Sequence, residues 1–244
     1  MSNILAFIPA RGGSISIPLK NMARINDIPL VGWSLHAATR NSDFKKIVVS
    51  TDNNIIRDYC QQFRNMSGDD RITVIERPGH LRDGESYPIQ DVVLDYLDKS
   101  KFYRYVALLQ PTSPFIRQWQ IDHCITTIRS KGCKSCFTIA EVPHNMNYAN
   151  QRSFKYGLVK FLFPETRRKR WNKQKKERSY MFGNFVVADW GYIKDGFFPT
   201  PAAGVVIDRV DAIDVDTMDD LRMAEHLLPL HQSETAQRWA GVGT

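Results

Sequence analysis

A chain of 244 residues with 43% hydrophobic residues is long enough for one large α/β domain, and it carries a formal charge of +7. No apolar run approaches the length of a bilayer span, and the N-terminal stretch lacks the basic start, apolar core and small-residue cleavage site of a secretion signal, so a cytoplasmic protein is expected. The charge argues against a nucleic-acid groove, because it is not spread: Arg167 to Arg178, RRKRWNKQKKER, carries the whole +7, and the other 25 basic and 25 acidic residues cancel. A solvated face, a mobile arm, a groove for an anionic small molecule and a contact for a partner's acidic surface all suit such a run better.

The first half alternates continuous apolar runs with amphipathic stretches. ILAFI (Ile4 to Ile8), KIVVS (Lys46 to Ser50), ITVIE (Ile72 to Glu76) and YVALLQ (Tyr105 to Gln110) read as strands covered on both faces. Between them, Leu30, Trp33, Leu35, Ala37 and Ala38, then Ile55, Ile56, Tyr59 and Phe63, then Ile89, Val92, Val93, Tyr96 and Leu97 recur at helical spacing. Strand and helix in alternation predict a parallel, doubly wound sheet.

The first strand runs into IPARGGSISIPLKN, Ile8 to Asn21. The carboxyl end of a buried strand is where open α/β sheets bind ligands. Gly12 and Gly13 let main-chain N–H groups approach phosphate, Ser14 adds a hydroxyl, and Arg11 and Lys20 supply positive charge. The pattern is neither a Walker A loop nor a dinucleotide fingerprint. Further on, LLQPTSPF (Leu108 to Phe115) ends another strand and offers Gln110, Thr112 and Ser113 in a bend stiffened by two prolines. Such groups suit a hydroxylated or carboxylated ligand, though turn chemistry alone also explains them.

KSCFTIAEV reads as another buried strand. It contains Cys136 and follows directly on Cys133, and with Cys60 and Cys124 these are the four cysteines, too few and too irregularly spaced for a disulfide scaffold. A zinc site would need a second pair of ligands, so buried or half-buried thiols are expected. The region 142–183 has strand-like pieces without a clean repeat and reads as an excursion that closes a site or joins a partner subunit. The sheet resumes with FGNFVVAD and GVVID. In AIDVDT, Asp214 and Asp216 stand two apart and face the same way if the segment is extended, a pairing that a divalent cation would neutralise. The competing reading is a helix start, with Thr217 and Asp220 as a capping box before Leu221, Ala224, Leu227 and Leu228. Residues 1–230 are expected to form one domain and 231–244 a C-terminal tail.

In this order IPARGGS…IPLKN, VSTD (Val49 to Asp52), Arg77-Pro78, LLQPTSP and DVDT followed by DL resemble the acylneuraminate cytidylyltransferases, over about Ile4 to Glu225. The resemblance implies an α/β, Rossmann-like nucleotidyltransferase fold of the GT-A-like type, with a mostly parallel sheet flanked by helices and commonly a homodimer. It implies transfer of CMP from CTP to the anomeric hydroxyl of a sialic-acid-like nonulosonic acid, with release of pyrophosphate and Mg²⁺ as cofactor. It assigns Arg11, Gly12, Gly13, Ser14, Lys20, Asn21, Arg77 and, approximately, Ser86 to the nucleotide and its phosphates. Gln110, Thr112, Ser113, Gln174 and Asn184 fall to the sugar, and Asp214 and Asp216 to the metal, with Arg11, Lys20 and the two aspartates as the catalytic set.

The chain departs from that pattern twice. The family typically reads Ser-Lys-Gly where this chain has Ser14, Ile15 and Ser16, so one phosphate-side cation is missing, a loss of roughly 1.5–3 kcal/mol. Before FGNFVVAD, relatives often carry an Arg-Gln pair and an Asn-Gly-x-x-Tyr pattern, against Lys173, Gln174 and Gly183-Asn184 here. A catalytically weakened nucleotide-binding homologue is therefore one alternative, and an enzyme acting on another 2-keto sugar acid is a second. A nucleic-acid-binding protein rests on the basic run alone.

Overall fold

The computed structural model of the protein describes residues 3–81, 87–100, 103–170, 172 and 177–237. Four of its strands are the apolar runs: β1 (Ile4–Pro9), β4 (Phe44–Thr51), β5 (Ile72–Glu76) and β6 (Tyr105–Leu108). β2 (Arg24–Ile25) and β3 (Ile28–Pro29) form a small hairpin whose turn, Asn26 and Asp27, takes positive φ at both positions. β7 (Ser135–Glu141), β10 (Tyr180–Asp189) and β11 (Ala202–Ile207) complete a seven-stranded sheet in the order β11-β7-β10-β6-β1-β4-β5. β10 runs antiparallel to both neighbours, and the remaining pairings in this sheet are parallel.

The continuous apolar runs are explained by cover on both faces. Ile4, Ala6 and Ile8 of β1 belong to a cluster with residues of α1 (Leu30–Thr39), α2 (Asn54–Ser67) and α4 (Gln118–Lys131). Leu5 and Phe7 point the other way, into a cluster with Val92, Val93 and Leu97 of α3 (Ile89–Ser100). With Phe7 fully buried, its truncation to alanine would cost about 3–5 kcal/mol.

Among its described residues the excursion, 142–183 by sequence, contains two 3-10 turns, the hairpin β8 (Arg152–Lys155) to β9 (Leu158–Phe161) and the short helix α5 (Pro164–Lys169) before β10 begins. Among the described residues the hairpin's strands pair only with each other, and both are exposed along their length. The last helix, α6 (Met218–Gln237), runs past residue 230, so the first part of the expected tail is helical. Among the described residues no helix is long and apolar enough to cross a membrane.

Candidate functional site

The chain passes from β1 outward to β4 and β5 and then returns to the other side of β1 as β6. The strand order therefore reverses between β1 and β6, and the loops leaving their carboxyl ends flank a crevice. A cavity of about 260 Å³ opens there, lined by Pro9, Arg11, Gly13, Ser14, Lys20, Asn21, Gln110, Pro111, Thr112, Asp214 and Asp216. Three stretches more than 200 residues apart at their extremes thus converge, one bringing cations and main-chain N–H groups, one an amide and a hydroxyl, and one two carboxylates.

The glycine turn is fixed from outside the cavity. Gly12 N–H donates to Asp52 Oδ1 at 2.7 Å, and a Cβ on Gly12 would lie 2.6 Å from Asn53 Cβ, so the close approach demands glycine. Asn53 is held there because it caps α2, its side chain accepting from the N–H groups of Ile55 and Ile56. Asp52, for which the sequence offers no role beyond its place in VSTD, is the anchor of the turn; its signal is an acid just past the strand parallel to β1. Asn21 closes the loop's base by donating to Arg11 O at 2.7 Å. Arg77 is buried behind the turn, beside Asp52 and Arg11, and burial lowers its pKa. Its Nε finds no hydrogen-bond acceptor among the described residues.

The acidic segment belongs to no strand, yet both of its carboxylates line the cavity. Val215 N–H donates to Thr112 O at 2.8 Å, which ties this segment to the proline bend. Burial raises the pKa of Asp214, with the Thr112 side-chain hydrogen bond opposing and the Asp216 charge reinforcing the shift. Asp216 Oδ1 meets Lys20 Nζ at 2.8 Å. The capping box is also present: Asp220 Oδ2 accepts from Thr217 N–H at 2.8 Å, and Asp220 N–H donates to Thr217 Oγ1 at 3.2 Å. The two readings of AIDVDT are therefore compatible, since the cap uses Thr217 and Asp220 and leaves Asp214 and Asp216 to the cavity.

The residues expected at the sugar divide. Gln110 and Thr112 line the cavity, whereas Ser113 is buried in the bend with its N–H on Gln110 O at 3.0 Å. Asn184 is a correction. The pairing of β10 with β7 slips between Phe182 and Val186, and this bulge turns Asn184 into the core. There its amide nitrogen donates to Phe115 O, Gln120 Oε1 and Asp211 O at 3.0, 2.9 and 3.0 Å, so its side chain is occupied by the protein itself. Ser86 and Gln174, with Lys173, lie outside the described residues.

Four described arginines of the basic run meet partners in the excursion or at the end of β7. Arg170 pairs with Glu177 at 2.5 Å and donates to Tyr148 Oη, Arg168 pairs with Glu165, and Arg178 reaches Glu141 at 3.9 Å. Arg167 lies over the Phe161 ring.

Comparison with known proteins identifies the family and the fold. The family described as cytidylyltransferase matches residues 5–158, a stretch that includes the glycine loop and the proline bend. The chain is 27% identical over 237 residues to CMP-N,N'-diacetyllegionaminic acid synthase of Legionella pneumophila, covering 94% of this chain and 97% of that protein. It is 27% identical over 223 residues to N-acylneuraminate cytidylyltransferase of Streptococcus agalactiae, covering 88% of this chain but only 51% of that longer protein. Among solved structures, CMP:2-keto-3-deoxy-manno-octonic acid synthetase complexed with CTP shares the fold at a TM-score of 0.67 and 14% identity, over 94% of this chain and 99% of that one. The 4-diphosphocytidyl-2C-methyl-D-erythritol synthase of Anaerococcus prevotii does so at 0.64 and 12%, over 93% and 96%. The fold is accordingly that of the Rossmann-like nucleotidyltransferases, and the chain belongs to the cytidylyltransferase family.

Proposed function

We propose that the protein transfers CMP from CTP to the anomeric hydroxyl of a sialic-acid-like nonulosonic acid, releasing pyrophosphate. The observation that carries this reading is the convergence of Arg11, Lys20 and the glycine turn with Asp214 and Asp216 in one cavity at the reversal of strand order. The names of the relatives support the choice of nucleotide and sugar class.

In this reading the main-chain N–H groups of Gly13 and Ser14, with Arg11 and Lys20, receive the phosphates. Gln110 and Thr112 hold the carboxylate and hydroxyls common to nonulosonic acids on the opposite wall. The glycine turn is held by Asp52 and Asn21 before substrate arrives, so charge that builds on the phosphates as the sugar oxygen attacks meets main-chain donors already in place. Mg²⁺ is the proposed cofactor, and the donor set fits it: two carboxylates, one of them with its pKa raised by burial and by its neighbour's charge, beside a site for phosphate oxygens. Asp214 and Asp216 would hold the ion, which when bound neutralises phosphate oxygens as a Lewis acid.

The partners are then CTP and the sugar acid, with neither nucleic acid nor membrane. The β8–β9 hairpin supports a homodimer, because Phe154, Leu158 and Val159 are 75%, 65% and 60% exposed on an arm whose strands, among the described residues, pair only with each other. The decisive experiment incubates the protein with CTP, Mg²⁺ and a panel of nonulosonic acids and follows pyrophosphate. Release with at least one acid is expected; activity with UTP or dTTP and aldose 1-phosphates, but none with CTP and keto acids, would overturn the reading.

A further inference from the structure

Lys20 and Asp216 are assigned to different ligands by the reading above, one to phosphate and the other to the cation. In the structure they hold each other: Nζ lies 2.8 Å from Oδ1. Among the described residues this is the one ion pair that Asp216 makes. The neighbouring carboxylates add to its need for a cation, since Asp214 lines the same cavity and Asp220 spends Oδ2 on the N–H groups of Asp216 and Thr217.

The contact is set by two frameworks that do not depend on it. Leu19 takes a φ of 50° and opens the 3-10 turn Lys20–Met22, whose N–H groups close back through Met22 on Leu19 O at 2.7 Å. This sharp bend sends Lys20 across the cavity, with a side chain only 16% exposed. On the other side the main chain of Asp216 is pinned at its oxygen by Ser16 Oγ at 2.5 Å and at its nitrogen by Asp220. The preceding residue is held by Thr112, and Val215 shares an apolar cluster with Ile17. The Asp216 side chain itself is 68% exposed. The pair can therefore open by a side-chain rotation alone, with neither loop displaced.

We propose that Lys20 is the resident counter-ion of Asp216, and that nucleotide phosphate draws it away, so that binding of a divalent cation at Asp216 waits on nucleotide. An ammonium and a metal cation at one carboxylate repel each other, so a metal arriving first competes with Lys20 for Asp216, and among the described residues the cavity lining offers Lys20 no other carboxylate than Asp214. A metal arriving with phosphate finds Lys20 already provided for. Coupling of this kind is reciprocal: whatever factor CTP adds to cation affinity, the cation adds to CTP affinity. The inference rests on the reading of this cavity as a site for CTP and a divalent cation.

The test is titration of the full chain with Mn²⁺ in the absence of nucleotide, with free Mn²⁺ followed by electron paramagnetic resonance. Lys20→Met and Lys20→Gln should each bind Mn²⁺ about fivefold more tightly than the wild type, the size expected for loss of one competing ion pair with a solvent-facing partner. Lys20→Arg, which keeps the cation, should remain near the wild type, and Asp216→Asn combined with Lys20→Met should erase the gain. CTP affinity, measured separately by calorimetry, should fall in the neutral variants, so the two ligands respond with opposite sign. Unchanged or weaker nucleotide-free Mn²⁺ binding in both neutral variants, with CTP binding by the wild type intact, would overturn the counter-ion role alone. A wild type that binds neither CTP nor Mn²⁺ would instead overturn the reading of the cavity, and this inference with it.

Discussion

Ser16 donates its hydroxyl to the main-chain oxygen of Asp216 at 2.5 Å across 200 residues of sequence. The position that lacks the family's glycine thus acquires a bond that glycine cannot make, joining the glycine loop to the acidic segment. Ile15 beside it is 89% exposed and packs against nothing that a substitution would disturb.

The first prediction separates these two departures. Ser16→Ala should lower kcat/KM for CTP roughly 5- to 10-fold, the worth of one hydrogen bond of about 1–1.5 kcal/mol, because it loosens the glycine loop and the acidic segment from one another. Ile15→Lys alone should raise kcat/KM with no loss of Tm, since it adds a cation and removes no buried surface. Adding Ser16→Gly to Ile15→Lys should give back part of that gain. Steady-state kinetics at saturating Mg²⁺ checks all three, and a double variant better than Ile15→Lys would deny the Ser16 bond any value.

The acidic pair should act on turnover more than on binding. Asp214→Asn and Asp216→Asn are each expected to reduce kcat by about 10²-fold or more while leaving CTP affinity within a few-fold, because their charge matters most as charge develops on the phosphates. Comparing single-turnover rates with calorimetric CTP affinities measures the split. Near-normal kcat in both variants at limiting Mg²⁺ would reduce the segment to a helix cap.

Asn184 should prove to be a residue of stability. Its amide bridges the bend at Phe115, helix α4 at Gln120 and the acidic loop at Asp211, while Thr138 Oγ1 accepts from the N–H groups of Asn184 and Phe185 at 2.8 and 3.0 Å. Asn184→Ala leaves several buried groups without partners and is expected to cost about 2–4 kcal/mol in urea denaturation. The same variant should leave the ranking of accepted sugar acids unchanged in kcat/KM. A changed ranking would return this residue to the sugar pocket.

That case marks the boundary of what the sequence discloses. Ile4 to Ile8 and Tyr105 to Leu108 were legible as strands because cover on both faces leaves an unbroken apolar run, and the loops after them were legible as a candidate site by their place at strand ends, with plain turn chemistry as the competing reading. Asp214 and Asp216 stood out by spacing, with a helix start as the competing reading. The direction of Asn184 did not, because it depends on a bulge held by Thr138, 46 residues earlier. The pairing of Lys20 with Asp216 is likewise a product of topology, as is the buried pair of Arg117 Nε with Asp211 Oδ2 at 2.6 Å.

The exposed hairpin predicts its own measurement. Phe154→Lys with Leu158→Lys should leave Tm nearly unchanged, because both side chains are largely in solvent, while shifting the protein from dimer to monomer in light scattering after size exclusion. A wild type that is already monomeric at micromolar concentration would end the dimer proposal.

The last prediction concerns the end of α1, where stability should depend on pH through a single carboxylate. The Arg71 guanidinium donates to Thr39 O at 2.7 Å, Asn41 O at 2.6 Å and Phe44 O at 3.2 Å, thereby satisfying carbonyls at and beyond the helix's C-terminus. Asp69 fixes that guanidinium by accepting from Nε at 2.9 Å and from Nη2 at 2.6 Å. The side-chain hydrogen bond from Arg71 holds the Asp69 carboxyl below its ordinary value, against a smaller opposing effect of burial. A carboxylate with a depressed folded-state pKa stabilises fully above its unfolded value, about 3.9, and loses that contribution as pH falls through the folded value. Asp69→Asn should therefore be less stable than the wild type by about 1.5–3 kcal/mol at pH 7, the scale of hydrogen bonds to charged groups, and the difference should shrink steadily below about pH 4. Arg71→Met, which abandons three carbonyls as well, should cost more and keep most of its deficit at low pH. Urea denaturation of the three proteins between pH 7 and pH 3 measures both trends, and a pH-independent deficit for Asp69→Asn would show that its charge is not what positions Arg71.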